Sequence, residues 1–247
     1  MRQPFALILN PFGVNTRLAY PGMRMPLGLY TNGGASRLAM FQGAKTMSEG
    51  RDLNPDQLEI LRIIPAGSRV LDLGCGDGSL LERLRAEKGC AIQGIDRDQK
   101  MVMRCFQRGI PCIMLDLDQG LSHIDEQSFD YVILGRTFQQ IHRPVRLLKE
   151  MLRVGRRALI SNLNLGHWRF RLRLAVSGRC PESDGELWYA SANIHQGSHR
   201  DFVEMATRES LPLGACHPLG SSLLARQFPG LFAELLVYEL GQESSKS

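Results

Sequence analysis

Residues 70–78, VLDLGCGDG, decide the fold. An apolar run broken only by Asp72 reads as a buried strand, and Gly74, Gly76 and Gly78 follow at alternate positions before a helical pattern. The order is strand, tight turn, helix. Glycine suits such a turn because a Cβ resists the required torsions and keeps a bound ligand away from the main chain. A helix beginning near Gly78 points free N–H groups and the positive end of its dipole at an anionic group. Asp96, eighteen residues beyond Gly78, ends a second strand pattern in GIDRD (94–98). A carboxylate there is placed to accept hydrogen bonds from ribose hydroxyls.

The spacing separates two ligand classes. Dinucleotide sites use G-x-G-x-x-G, whereas Gly74, Gly76 and Gly78 give G-x-G-x-G behind an acidic strand end. This pattern resembles the signature of class I S-adenosylmethionine (SAM) methyltransferases. The competing reading is a purely structural turn, which the second acidic strand end at the right distance disfavours.

With 247 residues, 43% hydrophobic and 22% charged, the chain suits one α/β domain with a good core. Its apolar runs are too short for a bilayer, so a cytoplasmic protein without membrane association is expected. Cysteines at 75, 90, 105, 112, 180 and 216 include no C-x-x-C pair. They read as reduced intracellular thiols rather than a disulfide or zinc framework. The formal charge of +5 is concentrated: residues 1–50 hold five basic residues and one acid, leaving 25 basic and 24 acidic beyond them. A nucleic-acid-binding body is not indicated.

Residues 1–46 lack a hydrophobic period and are rich in glycine and proline. The expectation is a disordered extension over 1–50, with Met47 the functional start, followed by one domain over 51–247. A leader peptide is the competing reading, although no continuous secretory-type apolar run is present. Asn54, Pro55 and Gln57 form an N-cap, first helical position and capping-box partner, with Leu53 and Leu58 as a hydrophobic staple. That helix must stop at Pro65. Strands are expected at about 69–73, 91–95, 111–115, 129–134 and 157–162, and helices at about 78–88, 98–108 and 144–154. Alternation of this kind predicts a mostly parallel, doubly wound, Rossmann-like sheet with helices on both faces.

Ligands in such sheets sit at the carboxyl ends of strands where the strand order reverses. Three acids fall at such ends: Asp72 for the amino-acid portion of the ligand, Asp96 for ribose, and Asp116 for an adenine amino group. Asp118 competes with Asp116, and either is a candidate cap for the following segment. After the fourth strand comes Leu134-Gly135-Arg136-Thr137-Phe138, without the Asn-Pro-Pro-Tyr type of tetrapeptide that positions a planar amino group. No catalytic acid or base stands out, and His142 reads as a surface residue.

No acid occurs between Glu150 and Glu182, while seven arginines do, Arg169 and Arg173 among them. A helix from about 167 places Trp168, Leu172 and Ala175 on one side. It is either a core helix with a solvated basic face or a docking surface with Trp168 as anchor. Trp188, Tyr189 and His195 lie in a loop composition suited to a lid or contact site. Ser198 and Asp201 start a further helix through about Glu209. His195 and His199 are four apart but lack a third ligand, so no metal is assigned.

Taken together, VLDLGCGDGSLLERL, FDYVILGRTFQQIHRP, LLKEMLRVGRRALIS, NLGHWRFRLRL and the WY…NIH…DF region resemble the MetW family of methionine-biosynthesis proteins, which have the SAM-methyltransferase fold. The likeness runs from about Asp52 to at least Phe202, and family members usually begin near Met47. Leu163-Asn164-Leu165 and Ser191-Ala192 depart from the family's Pro-Asn-Phe and Thr-Pro. The resemblance implies SAM as cofactor, with Cys75, Arg97 and Leu117 joining the three glycines and three acids around it. It also implies a role beside homoserine O-acyltransferase, either as its SAM-sensing partner or as a methyltransferase on a small molecule.

Overall fold

A computed structural model describes residues 53–178, 193–219 and 223–241. The expectations for residues 1–50 and the proposed start at Met47 lie outside the described residues, as do Trp188 and Tyr189.

Seven strands form one sheet: β1 (Arg69–Leu73), β2 (Ala91–Asp96), β3 (Cys112–Met114), β4 (Phe129–Leu134), β5 (Gly155–Leu163), β6 (Leu213–Leu219) and β7 (Leu235–Leu240). Their spatial order is β3-β2-β1-β4-β5-β7-β6. The first five pair in parallel, and β7 runs antiparallel between β5 and β6. The helices are α1 (Pro55–Ile63), α2 (Ser79–Lys88), α3 (Gln99–Gln107), α4 (Pro144–Val154), α5 (Trp168–Ser177), α6 (His199–Arg208), α7 (Leu223–Gln227) and α8 (Pro229–Phe232). The five parallel strands match the reading of the sequence, whereas β6 and β7 do not appear in it.

Successive side chains in a strand point to opposite faces, and the core divides accordingly. Leu71, Leu73, Val132, Leu134, Ala158 and Ile160 belong to one buried cluster, joined by Leu147, Leu148 and Met151 of α4. Val70, Tyr131, Ile133 and Leu159 belong to the other, with Ile60 and Leu61 of α1 and Leu80, Leu81 and Leu84 of α2. The strand order reverses at β1 and β4, whose outgoing loops part toward opposite ends of the sheet and leave a crevice.

Gln57 Oε1 accepts the Asn54 N–H at 3.0 Å, so the cap of α1 forms; Leu53 packs in the cluster of Ile60 and Leu61, and Leu58 is half exposed. One local expectation is corrected: the core-helix reading of the stretch after 167 fails, because α5 buries none of its residues. Trp168 is 41% exposed, and Leu172, Leu174 and Val176 more so.

Candidate functional site

The glycine turn is tied to β2 by its own backbone. The Gly74 and Cys75 N–H groups donate to Ile95 O at 2.7 and 3.0 Å. Gly74 has φ +74°, and a Cβ there would run into the Thr137 side chain, so the loops after β1 and β4 touch at this point. Gly76 has φ +57°, with no atom within 4 Å of where a Cβ would stand. The space above it is open. Gly78 instead backs onto the core, where a Cβ would meet Ile110 and the Cys105 sulfur. Asp96 ends β2, and its carboxylate accepts the Gly76 and Asp98 N–H groups, each at 2.8 Å. It therefore fixes the turn as well as facing the crevice. Arg97 beside it is exposed.

Two compartments open along the crevice. One, of about 110 Å³, is lined by Asp96, Arg97, Asp116, Leu117 and Asp118. The other, of about 140 Å³, is lined by Asn54, Asp56, Gln57, Asp72, Cys75 and Arg136. Gly74 and Thr137 line both. The structure thus gathers Asp72, Gly74, Cys75, Asp96, Arg97, Asp116 and Leu117 around one cleft. Of the competing acids, Asp118 is engaged: it accepts the His142 N–H at 2.9 Å and meets His142 Nδ1 at 2.9 Å. Asp116 caps the short turn at Leu117–Gln119 through the Asp118 N–H at 3.1 Å. His142 is exposed, as expected of a surface histidine.

Asp72 is only 5% exposed. Burial pushes its carboxyl up to about 7, and the nearby Cys105, Asp96 and Asp56 add to the rise. Asp56, a residue to which sequence reasoning gives no role, is 2% exposed. Its Oδ2 accepts the Ser161 hydroxyl at 2.8 Å, and Ser161 Oγ accepts the Arg136 N–H at 2.9 Å. Arg136 Nη2 stands 3.3 Å from Asp56 Oδ1. The only signal for Asp56 in the sequence is an acid in the first turn of a helix, which ordinarily serves the helix dipole.

The thiols scattered through the sequence are partly gathered in space. Cys75 from the turn, Cys105 from α3 and Cys112 from β3 place their sulfurs within 4.8 Å of one another. Cys75 Sγ lies 3.5 Å from Cys112 Sγ and 3.8 Å from Cys105 Sγ. Hydrogen bonding within the cluster holds the Cys105 thiol down and those of Cys75 and Cys112 up. A search for C-x-x-C misses such a group because three elements contribute one residue each.

A third cavity, of about 410 Å³, adjoins the cleft and is lined by Arg136, Gln139, Gln140, Leu163, Asn193 and Glu234. His195 is exposed, and its N–H and that of Ile194 donate to Gln139 O at 2.9 Å. The His199 ring stacks on Tyr238 and meets its hydroxyl at 3.0 Å. On α5, the Arg169 guanidinium lies 5.5 Å from the centre of the Trp168 ring, and Arg173 sits on the exposed body of the same helix.

An open sheet in this order, with a glycine turn at its point of reversal and an acid ending the next strand, is the class I SAM-dependent methyltransferase fold. A solved SAM-dependent methyltransferase from Mesorhizobium loti superposes with a TM-score of 0.56 at 20% identity, covering 76% of this chain and 98% of that one. The chain belongs to the methionine biosynthesis protein MetW family, whose model matches residues 54–238. It is 41% identical over 152 residues to the bifunctional methionine biosynthesis protein MetXA/MetW of Rhodopirellula baltica, across 57% of this chain and 24% of that protein. A ubiquinone biosynthesis O-methyltransferase of Xanthomonas axonopodis is 28% identical over 166 residues, 62% of this chain and 65% of that enzyme. The chain thus spans about a quarter of the first relative and under two thirds of the second. Among the described residues, no helix is long and apolar enough to cross a membrane.

Proposed function

We propose that this protein binds SAM in the cleft between the β1 and β4 loops and serves methionine synthesis as a SAM-responsive partner of homoserine O-acyltransferase. The observation that carries the first half is the pair of compartments meeting at Gly74 and Thr137, with open space over Gly76. The residues fit the ligand. Asp96 and Asp116 offer carboxylates to a ribose and an adenine amino group, Arg97 and Leu117 flank them, and Asp72 faces the amino-acid end. When bound, SAM supplies a methyl group activated by its sulfonium.

Support for the partner role comes from the relative in which a MetW-like region shares one chain with MetXA. The exposed Trp168, Leu172 and Leu174 of α5, alongside Arg169 and Arg173, offer an apolar and basic surface for docking. Trp188, Tyr189 and His195 remain candidates for the same contact. Such a surface gives association through its arginines and residence through its apolar anchors.

A second reading, a methyltransferase on a small acceptor, is favoured by the third cavity, which shares Arg136 with the Asp56–Asp72 compartment and Gln140 with the Asp96–Asp116 compartment. That cavity has room for an acceptor beside the donor, and proximity and orientation would supply much of the rate. Mixing the purified protein with a homoserine O-acyltransferase discriminates the two. A complex at micromolar concentration, with acyltransferase activity or stability that responds to SAM, supports the partner role. No complex, together with S-adenosylhomocysteine formed from a small acceptor, overturns it.

A further inference from the structure

A buried cysteine ordinarily packs as a small hydrophobe. Here three converge from separate elements: Cys75 from the glycine turn, Cys105 from α3 and Cys112 from β3. Sulfurs bound to one ion at the usual metal–thiolate distance of about 2.3 Å stand roughly 3.8–4.0 Å from one another, in tetrahedral or trigonal geometry. Cys75 Sγ lies 3.5 Å from Cys112 Sγ and 3.8 Å from Cys105 Sγ, and the third pair is within 4.8 Å. The backbone makes room for this meeting. Gly94 stands inside β2, paired with Cys112, where glycine weakens a strand and where its φ does not call for glycine. A Cβ there would stand 2.6 Å from Cys75 Sγ. Any larger residue would therefore drive that sulfur from its place in the group.

We propose that Cys75, Cys105 and Cys112 form a three-thiolate site for one thiophilic metal ion. Soft thiolate donors select Cu⁺ and Zn²⁺ over ions that seek oxygen. Among the described residues no fourth ligating side chain joins the group. That suits Cu⁺, which is content with three sulfurs, whereas Zn²⁺ would complete a four-coordinate shell with water from the compartment that Cys75 lines. The same compartment is the way in, since Cys75 is 6% exposed and Cys105 is fully buried. The Cys105 thiol donates to Gly76 O at 3.3 Å, a weak tether between α3 and the glycine turn. Metal–sulfur bonds would replace it with a tie joining the turn, α3 and β3, so that the energy of binding the ion becomes stability of the turn. The site stands whether or not the cleft binds SAM.

The test titrates the full chain, reduced and stripped of metal under anaerobic conditions, with Cu⁺ and separately with Zn²⁺, each in competition with a chromogenic chelator. The expected result is a single equivalent of ion withheld from the chelator, with a rise in melting temperature; the ion held more tightly names the metal. Cys105→Ser and Cys112→Ser are each expected to weaken that ion by more than the roughly 10- to 100-fold that loss of a supporting residue costs. Cys90→Ser and Cys216→Ser, outside the cluster, are expected to leave its affinity unchanged. X-ray absorption of the ion-loaded, unsubstituted protein reads the site even if the cluster variants do not fold, and is expected to show three sulfurs at about 2.3 Å. Binding of neither ion overturns the proposal. So does binding that survives Cys105→Ser and Cys112→Ser, or a shell of nitrogen and oxygen neighbours, as an ion held by surface histidines would give.

Discussion

Replacing Asp72 with asparagine should stabilise the ligand-free protein most at alkaline pH, about half as much at pH 5, and hardly at all below pH 4. Asp72 titrates at about 7 in the fold against an ordinary value of 3.8. The folded state thus holds this proton to a higher pH than the unfolded chain does. Between about pH 4 and pH 7 the folded state binds more protons, so stability falls as pH rises through that window and levels off above it. At about 1.4 kcal/mol per pKa unit, ionising Asp72 in the empty fold costs on the order of 4 kcal/mol by pH 8 and about 2 kcal/mol at pH 5. These are ceilings, since Asp56 and Asp96 share the effect. The asparagine side chain keeps the volume and abolishes the charge. Even a quarter of the ceiling, at roughly 2–4 °C per kcal/mol for a domain of this size, gives a measurable rise in melting temperature. The assay is thermal unfolding of both proteins, ligand-free, at pH 5 and pH 8. A gap that is the same at both values, or an asparagine variant less stable at pH 8, would refute the reasoning.

Asp96→Asn should cut SAM affinity by about 10- to 100-fold and cost about 1–2 kcal/mol in urea unfolding, because the carboxylate also accepts the Gly76 and Asp98 N–H groups. Calorimetry and the denaturation midpoint check the two halves separately. Gly76→Val should abolish SAM binding measured by calorimetry, at a strain of about 1–2 kcal/mol for a side chain at positive φ, since its Cβ fills space that the protein leaves open. Cys75, Cys105 and Cys112, all buried, should resist a bulky disulfide reagent in the native state and react once the chain is unfolded, as read by intact mass. Rapid native labelling of any of the three would contradict their burial.

The parts of the site legible in the sequence are those whose chemistry and position lie in one short segment. A strand ending in Asp72, a turn with glycines at fixed spacing and an acid at the next strand end follow from local pattern, and the five parallel strands follow from apolar runs separated by helical periods. β6 was hidden because Leu213–Leu219 carries Gly214 and Pro218, which break a strand pattern, and Pro218 is tolerated at the outer edge of the sheet, where β6 lies. β7 is a short apolar run, and apolar runs of that length do not by themselves distinguish strand from helix. The outcome for α5 shows the opposite failure. Its arginines and apolar residues gave two readings, and only packing could decide between them: a helix of ten residues that buries none of them has no tertiary reason, within the described residues, to carry Trp168 and Leu172.

Asp56 illustrates why a cleft of this kind exceeds what its motif announces. In sequence it is one acid in the first turn of a helix, well placed for the dipole and therefore already explained. In space, 105 positions separate it from the Ser161 that orients it, and the β1 and β4 loops bring Asp72 and Arg136 to the same compartment. A helix dipole needs a charge near the surface of the first turn, whereas this one is buried and half satisfied. The energetic cost of such a residue is understandable only if something cationic offsets it. Arg136 offsets part of the charge from 3.3 Å without a hydrogen bond, and both residues line the compartment that Asp72 also lines. Binding that neutralises both acids would stabilise the fold as it occupies the cleft. On the SAM reading, a ligand whose cationic group lay beside these acids would raise the stability of the domain, a rise that thermal unfolding with and without SAM would read.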